Sequence, residues 1–246
     1  MKLSTDKILQ SALTLLTDNK PDLTGNYLDI GSGTGELISL VKANFNVNCY
    51  AVDYIDTLMR DKEQQVDITD LNQCSLPYDD DFFDAITFTE VIEHIEDHRK
   101  ILKEANRVLK KDGVLVITTP NILNMKSRIR FLLVGFYNLF GPLHVKESAV
   151  HSADGHINPI SYFYLSHSLL DADFKDIRLT IDKKQRTSVF LLLFLYPFIL
   201  LGAFFVNRKE EKKYKTIDVH NKKYVNEMNS IQCLTGRTIV VSGRKI

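Results

Sequence analysis

The sequence predicts an α/β protein built on a doubly wound parallel sheet, and three observations carry that expectation. Short apolar runs recur at 27–30, 47–53, 83–89 and 114–119, with helix-periodic stretches between them. The first run breaks at once into three glycines at alternate positions, Gly31, Gly33 and Gly35, and an amphipathic segment follows directly. Carboxylates and small polar residues stand just past the ends of several runs, where an open parallel sheet places its ligand crevice. Alternation of strand and helix along one chain favours parallel strands with helices on both faces.

Taken in order, Ser4 or Thr5 can cap a first helix whose apolar side is Ile8, Leu9, Ala12, Leu13, Leu15 and Leu16, closed by Lys20-Pro21. The first strand, Tyr27 to Ile30, meets the glycine turn, and Leu37, Ile38, Leu40 and Val41 form the stripe of the next helix. The stretch 47–53 reads as a buried strand ending in Asp53, and 66–70 as a weaker third strand. Residues 71–78 form a loop, and Asp79, Asp80 and Asp81 are solvated turn residues. The stretch 83–89 is a fourth strand. It leads through Glu90-Val-Ile-Glu-His94 to a helix over 97–109, with Lys110-Lys-Asp-Gly113 as a basic C-terminal turn and glycine stop. A fifth strand, 114–119, ends at Pro120-Asn121. A helix over 162–172 and a sixth strand over 174–181 follow, and 238–242 reads as a seventh strand.

With 246 residues, 44% of them hydrophobic, one domain over 1–246 is expected, with insertions at about 122–158 and 183–236. Lys+Arg and Asp+Glu are 31 each, so no global field calls for nucleic acid. Cys49, Cys74 and Cys233 lie far apart with no C-x-x-C pair, as ordinary thiols of a reducing compartment do. The opening residues carry no apolar signal core.

The glycine turn can bring a ligand close to the backbone and offers the unpaired N–H groups of a helix start to an anionic group. The dinucleotide fingerprint is G-x-G-x-x-G; here Glu36 stands where its third glycine belongs, which disfavours an NAD-type oxidoreductase. Asp53, about twenty residues on, is placed to accept both ribose hydroxyls of a nucleoside.

The arrangement Asp29-x-Gly31-x-Gly33-x-Gly35 resembles motif I of the class I S-adenosylmethionine-dependent methyltransferases. Segments 28–36, 70–84, 89–95 and 109–121 are similar to the type 11 and ubiquinone-biosynthesis O-methyltransferase kind. The match is strong over about 24–121, looser over 155–181 and faint at 237–243. The resemblance implies a Rossmann-like seven-stranded sheet, six strands parallel and one antiparallel, and S-adenosylmethionine as cofactor. It implies that Asp29, Gly31, Ser32, Gly33 and Gly35 line the methionine end and that Asp53, with Tyr54 beside it, holds the ribose. Asp70 with Leu71 would lie beside the adenine, with Asp67 competing for that contact, and Thr89 and Glu90 would border the methyl group. A methyltransferase-fold binding scaffold without catalysis is the alternative within the family.

For an oxygen acceptor the chemistry needs a base, and His94, Glu90 and His156 are the candidates, with His151 and His144 in the same histidine-bearing stretch. Glu90, Glu93 and His94, with a histidine of the insertion, also permit a divalent metal; the expected site nonetheless contains none. Residues 125–143 are rich in Phe, Leu and Tyr, as an aromatic lid over a lipophilic acceptor or as an extra core helix.

The run 189–206 is uninterrupted apolar sequence, spanning about 27 Å as a helix against a bilayer core of about 30 Å. Lys183, Lys184 and Arg186 precede it; Arg208, Lys209, Lys212 and Lys213 follow. A single crossing would part the seventh strand from the sixth. The expectation is therefore a segment bent at Pro197 that dips into one leaflet and returns, with both basic clusters at the headgroups. A buried hairpin or a dimer interface is the other reading. Together these features point to a small or lipid-linked acceptor, and to a cytoplasmic protein held peripherally at the inner face of the membrane.

Overall fold

The computed structural model describes residues 4–73, 75–143 and 155–246. In chain order the elements are α1 (Asp6–Asn19), β1 (Thr24–Ile30), α2 (Glu36–Asn44), β2 (Asn46–Asp53), β3 (Asp67–Ile68), β4 (Phe83–Thr89), α3 (His98–Val108), β5 (Leu109–Pro120), α4 (Met125–Val134), α5 (Tyr162–Asp171), β6 (Phe174–Ile181), α6 (Arg186–Lys209), α7 (Lys222–Glu227), α8 (Ile231–Thr235) and β7 (Thr238–Lys245). The strands form one sheet in the order β3-β2-β1-β4-β5-β7-β6. β7 runs antiparallel to both neighbours, β5 and β6, and the pairs among β1 to β5 are parallel. The expected sheet of six parallel strands and one antiparallel strand is observed.

Two apolar layers cover the sheet because side chains on a strand alternate between its faces. Val114 and Val116 of β5 join Leu9, Leu16, Leu37 and Ile38 from α1 and α2 on one side. Leu115 and Ile117 join Ile101, Leu102, Leu165 and Leu169 from α3 and α5 on the other. All six apolar residues predicted for α1 are buried. Thr5 is its N-cap by backbone, but its side chain makes no capping bond.

Two local expectations are corrected. Gly113 does not stop α3: the helix ends at Val108 and β5 starts at Leu109, with the pairing to β4 slipping between Phe83↔Leu109 and Ala85↔Val114. Lys110, expected at the helix pole, instead reaches Asp84 at 2.8 Å. A Cβ at Gly113 would meet the Lys110 carbonyl at 2.7 Å, which accounts for the glycine.

The apolar segment is the second correction. It forms one unbroken helix, α6, through Pro197, continued by a π-type turn over Glu210–Tyr214. There is no dip and return within 189–206; residues 215–221 turn the chain into α7, whose Lys222 meets Glu211 past the end of α6. Leu192 packs with Met125 of α4 and Leu234 of α8, while most of the helix is exposed. α4 buries only Met125 and Ser127 and is therefore no core helix.

Candidate functional site

The parallel strands deliver the site to one rim. β1 ends in the glycine turn, β2 in Asp53, β4 in Thr89 and β5 in Thr119-Pro120. Gly31 and Ser32 donate their N–H groups to the Val52 carbonyl at 2.8 and 3.2 Å, which folds the turn over the end of β2. Gly31 has φ +70°, and a Cβ there would lie 2.2 Å from Cγ2 of Val91, so its role is to admit the β4–α3 connection. Gly33 donates its N–H to Oδ2 of Asp53 at 2.8 Å. Gly35 is the N-cap of α2, with φ 75°.

Asp53, 6% exposed, also accepts from its neighbour Tyr54 N–H at 2.8 Å. Burial raises its carboxyl above the ordinary range, against the pull of these backbone bonds. Asp29, 2% exposed, accepts from Thr87 Oγ1 at 2.6 Å, and Thr87 Oγ1 lies 2.7 Å from the Tyr27 hydroxyl. Burial pushes Asp29 up to about 7. Its carboxyl sits beneath the turn within this chain of hydroxyls.

Thr69 N–H bonds the Asp53 carbonyl at 2.8 Å, bringing Asp70 and Leu71 alongside Asp53. Asp70 accepts from Asn72 N–H at 3.0 Å and caps the single helical turn Leu71–Gln73. Asp67, its competitor, is engaged by the Tyr78 hydroxyl at 2.6 Å.

The β4 end carries the acids. Glu90 adopts φ 56° and donates its N–H to Thr118 Oγ1 at 3.0 Å; the same hydroxyl lies 3.2 Å from Glu90 Oε1. Thr119 Oγ1 donates to Glu93 Oε2 at 3.0 Å, and Glu93 Oε1 has no partner among the described residues. Glu93 is 0% exposed. Burial raises Glu90 to about 7, and burial together with the Glu90 charge raises Glu93 well above the carboxylate range.

His94 Nδ1 lies 2.9 Å from the Gly155 carbonyl, and His156 Nδ1 lies 2.9 Å from the Leu139 carbonyl. A carbonyl oxygen only accepts, so both Nδ1 atoms carry protons and Nε2 is the basic position in each neutral ring. The rings meet with centroids 4.9 Å apart. Glu93, His94 and His156 each place a ligand-capable atom within 4.8 Å of the others. Imidazole nitrogens with a backbone-bonded second nitrogen and one carboxylate suit a divalent transition ion. His144 and His151 lie outside the described residues.

The structure thus brings Asp29, the glycines, Ser32, Asp53, Tyr54, Asp70, Leu71, Thr89 and Glu90 to one rim, with His94 and His156 beside Glu93. Sequence reasoning missed the threonines. By sequence Thr87, Thr118 and Thr119 are strand residues, yet they serve Asp29, Glu90 and Glu93 in turn. A signal was present, since hydroxyls at the ends of otherwise apolar runs need partners.

The residues fit an adenosyl sulfonium. Ser32 Oγ and Thr89 Oγ1 are buried at this rim with no partner among the described residues, and the Asp53 carboxylate keeps acceptor capacity beyond its backbone bonds.

The family described as a methyltransferase domain matches residues 5–179. The chain is 30% identical over 158 residues to the protein named probable S-adenosylmethionine-dependent methyltransferase in Mycobacterium tuberculosis, covering 62% of this chain and 49% of that protein. It is 28% identical over 156 residues to the ubiquinone/menaquinone biosynthesis C-methyltransferase of Desulfotalea psychrophila, covering 60% and 59%. The chain therefore spans about half the length of the curated relatives it matches. In three dimensions it is similar to a SAM-dependent methyltransferase from Archaeoglobus fulgidus, with TM-score 0.55, 16% identity, and 96% and 94% of the two chains covered. At that identity the likeness concerns the fold.

Proposed function

This chain belongs to the S-adenosylmethionine-dependent methyltransferase family, and from that premise we propose that it methylates a hydroxyl of a small or lipid-linked acceptor at the cytoplasmic face of a membrane. The observation that carries the reading is the His94–His156 pair beside the ends of β4 and β5, with Nε2 the basic position of each neutral ring. The glycine turn and Ser32 hold the methionine end of the cofactor, Asp53 its ribose, and Asp70 with Leu71 its adenine.

The bound cofactor supplies an electrophilic methyl group on a sulfonium. His94 Nε2 would take the proton of the acceptor hydroxyl, while the glycine turn, Ser32 and Asp53 would hold the group whose methyl that oxygen receives. Burial shifts Glu90 and Glu93 toward their protonated forms, with Glu93 beside the pair. His156 orients the acceptor and is the second base.

A second reading is favoured by the clustering of Glu93, His94 and His156, which would let a divalent cation hold the acceptor oxygen. Activity that survives exhaustive chelation removes it.

Incubation with labelled S-adenosylmethionine and total membrane lipid extract tests the function, the expected outcome being a labelled lipid-soluble species with an alkali-stable ether. A label on ring carbon instead would move the acceptor to the quinone-precursor class suggested by the name of the Desulfotalea relative. Calorimetry with S-adenosylmethionine and NADH separates the oxidoreductase alternative. Cofactor binding without transfer to any extract would leave a scaffold.

A further inference from the structure

We propose that α4 and α6 form one bilayer-docking face, with α6 lying in the plane of the headgroup–acyl boundary. On this face α4 guides an acceptor with a membrane-embedded chain to the His94–His156 pair. The guidance rests on the methyltransferase reading; the docking does not.

Both ends of α6 are held on the same body. At its start Gln185 N–H bonds the Thr235 carbonyl at 2.8 Å, and Lys184 pairs with Gly236. Past its end Glu211 meets Lys222 at 2.6 Å, Lys223 Nζ donates to the Ile177 carbonyl at 2.7 Å, and Tyr224 is buried. The 24 residues of α6 measure about 36 Å, enough to cross a hydrocarbon core of about 30 Å. The seven residues 215–221 reach at most about 25 Å, too short to return through that core to Lys222. A crossing is excluded by the connection, and an in-plane helix satisfies it.

The side chains explain why α6 is apolar all round. One flank, through Leu192, Leu195 and Ile199, packs on Met125 and Leu234. The opposite flank exposes Leu193 at 73% and Phe198 at 71%, with Phe194, Leu201 and Phe205 also open. Almost none of the apolar stretch is covered by protein. Lys183, Lys184 and Arg186 at one end and Arg208, Lys209, Lys212 and Lys213 at the other match an anionic headgroup layer. That pairing of greasy flank and basic ends fits a lipid surface better than a second copy, which would bring the same cations together.

α4 extends the face toward the site. It packs against α6 and exposes Phe131, Leu132, Leu133 and Val134 in succession, Leu132 at 77%. Phe131 stacks on Tyr137 at 4.4 Å; two residues on, the Leu139 carbonyl holds His156, and the Phe140 ring lies 5.2 Å from it. The Phe131–Tyr137 stack and the Phe140–His156 contact, joined through residues 137–140, therefore lead from the docking face to the histidine pair.

Flotation of the full chain with vesicles of phosphatidylcholine plus phosphatidylglycerol, compared with phosphatidylcholine alone, tests the docking. The expected result is binding to the anionic vesicles that weakens as salt rises. In the double variant Phe198→Glu/Leu201→Glu that binding should fall at least tenfold while the thermal melt stays unchanged. Unaltered vesicle binding by the variant overturns the proposal. So does a dimer in lipid-free buffer that the same substitutions dissociate. For the guidance, transfer from labelled S-adenosylmethionine to lipid extract in those vesicles should fall at least tenfold in Leu132→Glu/Leu133→Glu, and undiminished transfer overturns that half. Absence of S-adenosylmethionine binding by the unaltered protein would instead sink the methyltransferase reading and with it the guidance, leaving the docking to be decided by flotation.

Discussion

His94 and His156 stand edge to face, ring planes at 78°, although one follows β4 and the other lies near the end of the insertion after the fifth strand. The loop at residues 155–158 is brought there by the Glu93 carbonyl, which accepts from Ile157 N–H at 3.1 Å and Asn158 N–H at 2.9 Å. Glu93 thus arranges the pair through its backbone and adjoins it through its side chain.

Replacing His94 by Ala should lower kcat by about 10²–10⁴-fold, the usual range for loss of a general base, with cofactor affinity unchanged. His156→Ala should raise KM for the acceptor more than it lowers kcat. Steady-state kinetics with calorimetric cofactor titration checks both. Equal and small effects from the two variants would mean that neither ring takes the proton.

Asp29→Asn should change how stability depends on pH. Asp29 ionises near 7 in the folded protein, against 3.8 for a free carboxyl. Between those values the folded chain keeps a proton that the unfolded chain has lost, so stability is full below about 4 and declines as pH rises toward about 7. The decline is at most about 4 kcal/mol. The amide retains the acceptor for Thr87 and cannot ionise, so the variant should melt above the parent at pH 8 and differ little at pH 4. Melting curves across that range decide it; parallel pH dependence in the two proteins would refute the buried-acid account.

Gly31→Ala should destabilise by about 1–3 kcal/mol, because it combines a left-handed backbone with a collision against Val91. Val91→Ala in the same chain relieves the collision but not the backbone strain. Chemical denaturation should therefore give a double variant less destabilised than the sum of the single variants.

Asp53→Ala together with Gly33→Ala removes a carboxylate and distorts the turn that donates to it. Affinity for S-adenosylmethionine should drop at least tenfold, about 1.4 kcal/mol, in a titration. Unchanged retention would remove these residues from the cofactor site.

Much of the fold was legible because each sheet face declares itself in local sequence. Val114 to Ile117 alternate between two layers, and the six inward residues of α1 follow helical spacing. The glycine turn after β1 was legible for the same reason, since it needs only neighbouring residues to be recognised. What escaped was non-local. Nothing near Lys110 announces that it pairs with Asp84 rather than ending a helix. Nothing near Thr118 and Thr119 announces the acids that approach from the β4 end. Pro197 reads as a bend by local rules, yet α6 continues through it, with its neighbours Leu195, Tyr196 and Ile199 partly buried against α4 and α8.

The position of β7 carries a kinetic consequence. It follows β6 in sequence but lies between β5 and β6, so β6 has no strand neighbour in the sheet until residues 238–245 arrive. During synthesis the greasy α6 emerges ahead of the strand that completes the sheet. For that interval the chain displays its most water-averse surface while its edge is still open. A surfactant-like boundary or a chaperone present at that moment would decide between productive closure and aggregation. Refolding yield, more than final stability, is where substitutions in α6 should first be felt.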